Sequence, residues 1–303
     1  MVPGGYAWWY VDALSDNGSQ ALALIAFVGS VFSPYYAGRR RRLGAAASDP
    51  ADHVAVNLSL YGGSRKLWAM TERGAGSLQR EPASLRIGPS RLAWDGDALA
   101  IDIDEWALPW PQRLRGCLHV QPLVRSSHVQ PLDAAGRHRW CPIAPRARIE
   151  VDLPQPGLRW QGEAYVDSNF GDVPLEQDFA RWDWSRAALP GGRAAVLYDV
   201  ERRDGSRLAL ALRFGADGSA HEAEPPPVRP LPRSAWGLAR QTRSEGDGRL
   251  LRTVEDGPFY ARSLCQARWF GTPVTAMHES LSLQRFDARW VQALLPWRMP
   301  RRR

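Results

Sequence analysis

Apolar residues along the chain recur every second position far more often than every third or fourth, which is the signature of strands. Residues 54–60 (Val-Ala-Val-Asn-Leu-Ser-Leu) alternate and then meet Gly62-Gly63. Short alternating runs follow at Leu85-Arg-Ile87, Leu92-Ala-Trp94 and Leu99-Ala-Ile-Asp-Ile103, and longer ones at 147–153, 194–200 and 208–214. Gly88-Pro89, Asp95-Gly96-Asp97 and Arg203-Asp204-Gly205-Ser206 punctuate them. Asp-Gly supplies the positive φ that tight hairpin turns require. Strands at such regular spacing, with turns between them, predict an all-β fold of the sandwich or barrel kind. Helical windows are few. Leu175 to Trp184 reads as a short helix or an extended edge strand, and Asp287 to Leu295 as a terminal helix. The Pro-rich stretch Glu222 to Pro232 reads as a polyproline-like connection. Turn chemistry at Asn169-Phe-Gly-Asp-Val-Pro174, followed by a fresh hairpin pattern, places a domain boundary near 172 to 190. The expected domains are 1–178 and 179–303.

Composition narrows the setting. Hydrophobic residues are 44% and charged residues 23% of the chain, an ordinary globular balance that excludes a coiled coil, a collagen or a disordered tail. Cys117, Cys141 and Cys265 are widely spaced with no C-x-x-C, which points to a reducing compartment and to neither a disulfide framework nor a zinc site. The start Met1-Val-Pro-Gly-Gly-Tyr6 lacks the basic region of a signal peptide. The apolar run Ala21 to Phe32 is too short to span a bilayer of about 30 Å. The net charge of +7 rests on arginine, since Lys66 is the one lysine. Arg39 to Arg42, and Arg298 with Arg301 to Arg303, form basic clusters suited to anionic lipid, at about 1 kcal/mol per residue near the surface. The expectation is a cytoplasmic protein, peripheral on the inner face of the membrane. The remaining charge is interleaved with acids and no nucleic-acid motif is present, so no nucleic-acid partner is expected.

No dinucleotide fingerprint, P-loop, H-E-x-x-H or G-x-S-x-G occurs, and the six histidines lack metal-ligand spacing. Neither a metal nor an organic cofactor is expected. What stands out is aromatic residues beside carboxylates: Tyr6-Ala-Trp8-Trp9-Tyr10-Val-Asp12, Tyr165-Val-Asp167-Ser-Asn169 ahead of Trp182-Asp183-Trp184, and Glu255-Asp256-Gly-Pro-Phe259-Tyr260 ahead of Trp269-Phe270. Ser33-Pro-Tyr35-Tyr36 adds a fourth aromatic group. Singly, each such group reads as core packing or a turn. Together they point to a large aromatic-walled cavity. That cavity suits protonation of an isolated alkene, which needs an acid, an apolar pocket and π faces toward the cation. A buried carboxyl supplies the acid, because desolvation holds its proton near neutral pH.

The chain resembles the carotenoid 1,2-hydratase (hydroxyneurosporene synthase) family. The resemblance lies in Trp8-Trp-Tyr-Val-Asp-Ala-Leu14, Gly29-Ser-Val-Phe-Ser-Pro-Tyr-Tyr36, Trp68-Ala-Met-Thr-Glu-Arg73, His138-Arg-Trp-Cys-Pro-Ile-Ala-Pro145, Tyr165-Val-Asp-Ser-Asn-Phe-Gly171 and Asp256-Gly-Pro-Phe-Tyr-Ala-Arg262. These segments span nearly the whole chain. Gly257 stands where Thr is common in the family, a departure that a turn before Pro258 tolerates. The resemblance implies two lipocalin-like antiparallel β-barrel domains with little helix. It also implies a lyase that adds water, without a cofactor, to the terminal C1–C2 double bond of acyclic carotenes such as neurosporene or lycopene.

Within that reaction, the residues themselves suggest roles. Asp256 is the first candidate proton donor and Glu255 its competitor. Trp236, Tyr260 and Trp269 are expected to line the cation. Asp167 is the second candidate acid, or the group that orients water, with Tyr165 and Asn169 holding that water; the alternative reading of Asp167 to Gly171 is a structural turn. Tyr35, Tyr36 and His278 complete the candidate lining. The competing function is a non-catalytic lipocalin-like carrier of carotenoid or other lipid, which needs the same greasy cavity but no buried carboxyl.

Overall fold

The computed structural model describes residues 1–63 and 66–302. The chain divides into two compact units, Met1–Pro174 with Ala293–Arg303, and Leu175–Gln292. The first unit holds β1 (Tyr6–Ser15), β2 (Ala21–Val28), β3 (Val54–Tyr61), β4 (Leu67–Arg73), β5 (Leu78–Glu81), β6 (Ser84–Ile87), β7 (Ser90–Asp95), β8 (Ala98–Ala107), β9 (Gln112–Val124), β10 (Gln130–Pro131), β11 (His138–Gln155) and β12 (Leu158–Gly171). Helix α1 (Pro34–Leu43) follows β2. The second unit holds α2 (Leu175–Asp178), β13 (Phe179–Ala188), β14 (Ala194–Arg202), β15 (Arg207–Phe214), β16 (Ala220–Glu222), β17 (Val228–Leu231), β18 (Arg240–Arg243), β19 (Arg249–Asp256), β20 (Tyr260–Trp269), β21 (Thr272–Ser282) and α3 (Leu283–Phe286), and α4 (Arg289–Leu294) follows. The mostly β, antiparallel character expected from the alternation is what the chain adopts.

In the first unit the hydrogen-bonded path closes on itself through eight strands, β11-β12-β1-β2-β3-β4-β8-β9 and back to β11. The link from β4 to β8 is narrow, a single pair Ala69↔Ala107. β5 to β7 extend the sheet beyond β8. The inside is one continuous apolar cluster with Val11, Leu24, Val56, Ile101, Val151 and Val166 among its members. The run from Ala21 supplies β2, whose residues are nearly all buried, as a near-continuous apolar strand requires. Asp95 pairs with Ala98 across Gly96-Asp97, and Gly96 has φ +56°, so the Asp-Gly turn forms as expected.

In the second unit, seven strands form an open path, β16-β15-β14-β13-β21-β20-β19, beside the small ribbon β17-β18. Residues 175–184 resolve as both options at once: one helical turn at Leu175–Asp178, then β13, which is central rather than at an edge. Pro230 sits in a strand of the two-stranded ribbon, where a missing N–H is tolerated. A helix does form near 287–295, as Arg289–Leu294.

The basic clusters are less available than the sequence suggests. Arg40 is buried within α1, its guanidinium 4.0 Å over the Tyr36 ring. Arg298 lies 4.5 Å over Trp68. Arg301 is ion-paired to buried Glu72, and the tail runs beside β4 through Glu72 N–H to Pro300 and Arg302 N–H to Glu72. Arg298 and Arg301 are therefore held by their own unit and do not form a loose basic end. Arg303 lies outside the described residues. No helix among the described residues is long and apolar enough to cross a membrane.

Candidate active site

Three neighbouring strands of the first unit bring their aromatic and carboxylate residues onto one face. β1 pairs with β12 so that Tyr6 opposes Gly171, Trp8 opposes Asn169, Tyr10 opposes Asp167 and Asp12 opposes Tyr165. β11 pairs on the other side of β12, with His138 opposite Gly171 and Trp140 opposite Asn169. Directly paired residues of an antiparallel sheet share a face, so all nine side chains stand together. The intervening residues Val11, Ala13, Ala164 and Val166 point the other way, into the apolar cluster inside the ring.

This outer face is buried: Asp12 and Trp140 are fully enclosed, and Asp167 is 4% exposed. The Asp167 carboxyl is held on one oxygen by two donors. Trp140 Nε1–H and the Tyr165 hydroxyl each reach Oδ2 at 2.9 Å. The Tyr10 hydroxyl donates to Asp12 Oδ2 at 3.3 Å, and the Tyr10 ring meets that of Tyr165 edge-on at 6.2 Å. Tyr6 stacks on Trp8 at 5.1 Å and on His138 at 5.8 Å, and its hydroxyl is 2.9 Å from His138 Nδ1. Gly171 makes this arrangement fit, since a Cβ there would lie 2.5 Å from the Tyr6 ring and 2.8 Å from His138 Nδ1. β11 shifts register between Cys141 and Ala144, just past Trp140, a bulge of the kind that re-aims side chains.

The sequence candidates separate accordingly. Tyr165, Asp167 and Asn169 are brought together. The turn reading of Asp167 to Gly171 does not hold, because β12 continues to Gly171 and the chain bends only afterwards. Tyr35 and Tyr36 begin α1. Tyr36 is fully buried with its hydroxyl donating to the Gly5 carbonyl at 2.8 Å, and Tyr35 lies beneath Arg301.

Asp256, Glu255 and Tyr260 flank the β19–β20 turn of the second unit, where Asp256 opposes Ala261 and Glu255 opposes Arg262. Asp256 is half-buried, and its Oδ2 accepts from Ala235 N–H at 2.6 Å, closing the loop that presents Trp236. Trp236 is 45% exposed and stacks on Trp290 at 6.1 Å, so it is a surface residue rather than a cavity wall. Trp269 does not line a cation with Tyr260. It lies nine residues further along β20, about 30 Å at strand rise. There it is fully buried among Ala187, Leu197 and Val274, with its N–H donated to the Arg243 carbonyl. His278 is likewise no wall: it is fully buried, 2.8 Å from the Ser185 hydroxyl and 3.1 Å from that of Ser280.

That last group exposes a carboxyl missing from the sequence candidates. Asp183 accepts from the Ser280 hydroxyl and from Arg181 at 2.9 Å. Burial pushes its carboxyl up to about 6, against the pull of Arg181, and burial pushes the His278 imidazole down to about 3. His138, Trp140, Tyr6, Tyr10 and Asp12 were also unassigned by the sequence. Their signal was present as period-two spacing, Tyr6-x-Trp8-x-Tyr10-x-Asp12 and His138-x-Trp140, which marks one face of a strand.

The family model for carotenoid hydratase CrtC matches residues 24–303. Acyclic carotenoid 1,2-hydratase of Thiocapsa roseopersicina is 51% identical over 99% of this chain and 74% of its own length. The acyclic carotenoid 1,2-hydratase of Rubrivivax gelatinosus is 49% identical, over 100% of this chain and 75% of its own. Among solved structures, kievitone hydratase of Nectria haematococca superposes with a TM-score of 0.56 at 9% identity, covering 94% of this chain and 90% of that one, a likeness of fold alone.

Proposed function

Because the chain belongs to the carotenoid hydratase CrtC family, we propose that it adds water across the terminal C1–C2 double bond of an acyclic carotene, with Asp167 as the proton donor. The observation that carries the residue choice is the pair of 2.9 Å hydrogen bonds from Trp140 and Tyr165 onto Asp167 Oδ2. With Oδ2 occupied as an acceptor twice over, the acidic proton sits on Oδ1. The two donors fix the plane of the carboxyl and hence the direction of that proton. Asp256, the alternative acid, is half-buried and closes a loop through a backbone N–H, which is a structural use of its carboxylate.

The reaction balances with protein groups and water alone. Asp167 transfers its Oδ1 proton to C2, and the π electrons of the C1–C2 bond form the new C–H bond. The positive charge develops at C1, the carbon bearing two methyl groups, where substitution stabilises it. The faces of Trp8, Tyr10 and Trp140 supply quadrupole stabilisation, an effect worth more in a desolvated site. Water held near Tyr165 and Asn169 attacks C1, and the proton it sheds returns to the Asp167 carboxylate. On this account activity persists in EDTA and without added nucleotide or flavin.

The closed ring of the first unit acts as a lipocalin-like barrel, and the open sheet of the second as its half-barrel counterpart, with the boundary near residue 174. A substrate so insoluble in water is collected from a bilayer, which supports a peripheral position on the cytoplasmic face of the inner membrane. The test is incubation of purified protein with lycopene or neurosporene in detergent, followed by product mass. A gain of one water by the wild type and its loss in Asp167→Asn are expected. Full activity in Asp167→Asn would remove Asp167 as the donor.

A further inference from the structure

The residues that alternate with the Asp167 face point inside the eight-strand ring, and there they leave a cavity of about 370 Å³. Deeper in the ring, Leu22, Leu24, Val56 and Leu58 are fully buried. Around the cavity, Trp9, Trp94 and Ile143 pack against the core and stay half-buried. Val11, Leu92 and Val166 complete an apolar wall. Two cations reach the tryptophans: Arg80 lies 5.4 Å over Trp9 and Arg125 lies 5.3 Å over Trp94. Carboxylates match both in number, since Arg125 is paired to Asp97 at 3.1 Å and Glu81 lines the mouth beside Arg80.

We infer that this cavity is a second binding site, separate from the reacting one, for the end of an uncharged hydrocarbon chain. Its volume lies at the low end of the range of about 300–1,000 Å³ typical of small-molecule sites. The half-buried indoles and the aliphatic wall gain by burying the apolar surface they still expose. The balanced mouth offers no net charge to an anionic headgroup. A chain seated there cannot reach Asp167. Val11 and Val166 oppose one another on the inner face, whereas Tyr10 and Asp167 oppose one another on the outer face. The site therefore holds a ligand without reacting it. The assignment stands on the cavity alone and does not depend on the hydration reading.

The experiment is calorimetric titration of the full chain with geranylgeraniol, an uncharged isoprenoid alcohol, and with palmitate as the anionic comparison. Three proteins are compared: wild type, Leu92→Trp, which fills the cavity, and Asp167→Asn, which alters only the outer face. Leu92→Trp should lose one equivalent of geranylgeraniol or bind it at least about tenfold more weakly, because the apolar surface it would cover is gone. Asp167→Asn should keep the equivalent that Leu92→Trp loses. If circular dichroism shows Leu92→Trp to be unfolded, Ile143→Phe on the half-buried wall replaces it with the same expectation. Undiminished binding in a folded cavity-filling variant overturns the site, and tighter binding of palmitate than of geranylgeraniol overturns its assignment to an uncharged chain. Absence of hydration product alongside intact cavity binding would count against the hydratase reading alone.

Discussion

Tyr10 and Val11 are adjacent in sequence and stand on opposite sides of one strand. Across from them on β12, Asp167 and Val166 do the same. One side of this two-strand wall carries Tyr10, Asp12, Tyr165 and Asp167 in a buried aromatic and carboxylate cluster. The other carries Val11, Ala13, Ala164 and Val166 in an uninterrupted apolar cluster bordering a cavity. A pleat of period two is enough to keep the two groups apart, because no side chain can serve both faces. On the proposed mechanism the acid is Asp167. A reacting acid needs its orientation fixed by neighbours, and Asp167 has that from Trp140 and Tyr165.

The strongest way to break this comparison is Asp167→Asn. Positioned proton transfer contributes about 10²–10⁴-fold, so product formation from lycopene should fall by at least that range while circular dichroism stays unchanged. Should Asp256→Asn be the dead variant and Asp167→Asn the active one, the chemistry belongs to the second unit.

Asp183, a buried carboxyl of the second unit, is held in a different environment. Asp183 is raised from 3.8 to about 6 by burial, so it contributes stability below about pH 3.8 that is lost as pH rises through about 6. At about 1.4 kcal/mol per pH unit this comes to roughly 3 kcal/mol. The stability of wild type relative to Asp183→Asn should therefore decline by that order between pH 4 and 7, in urea melts at several pH values. His278 works in the opposite direction, being pushed down to about 3, and its contribution is lost as pH falls from 6.5 toward 3 in both proteins. A pH-independent difference would show that Asp183 is not held neutral.

Removing one donor from Asp167 is gentler. Trp140→Phe or Tyr165→Phe leaves the other bond in place, and loss of about ten- to a hundredfold in rate is expected, in line with hydrogen bonds to charged groups. Equal, negligible losses in both would mean that the orientation of the carboxyl is not what matters.

The smallest effect is expected from two neighbours on opposite faces. Trp8→Leu removes a ring stacked on Tyr6 and should slow turnover by about five- to tenfold, the scale of one cation–π contact. Trp9→Leu, on the inner face, should cost turnover less and geranylgeraniol binding more. The reverse ranking would merge the two faces into one site.

Much of this was legible in the chain itself. Alternation and turn chemistry identified an antiparallel β protein, and Asp95-Gly96 and Arg203 to Ser206 marked hairpins that form. Residues two apart on a strand share a face, so Tyr165, Asp167 and Asn169 were recognisable as one group. Family resemblance along most of the length pointed to the reaction. Tertiary structure alone decided what stands opposite. The partners Tyr10 and Asp167 are 157 positions apart, and Trp140 reaches Asp167 only through the β11–β12 pairing. β1 is buried on both faces, which erases the polar and apolar contrast that would have shown which side carries function. Trp269 looked like a cavity wall because composition carries no distance along a strand, and Arg301 looked available to anionic lipid because its buried partner, Glu72, lies 229 positions away. Local periodicity fixes the direction of each side chain relative to its own strand. Which side chains then meet depends on ring closure and strand register, and those are set by long-range pairing that no short window of sequence contains.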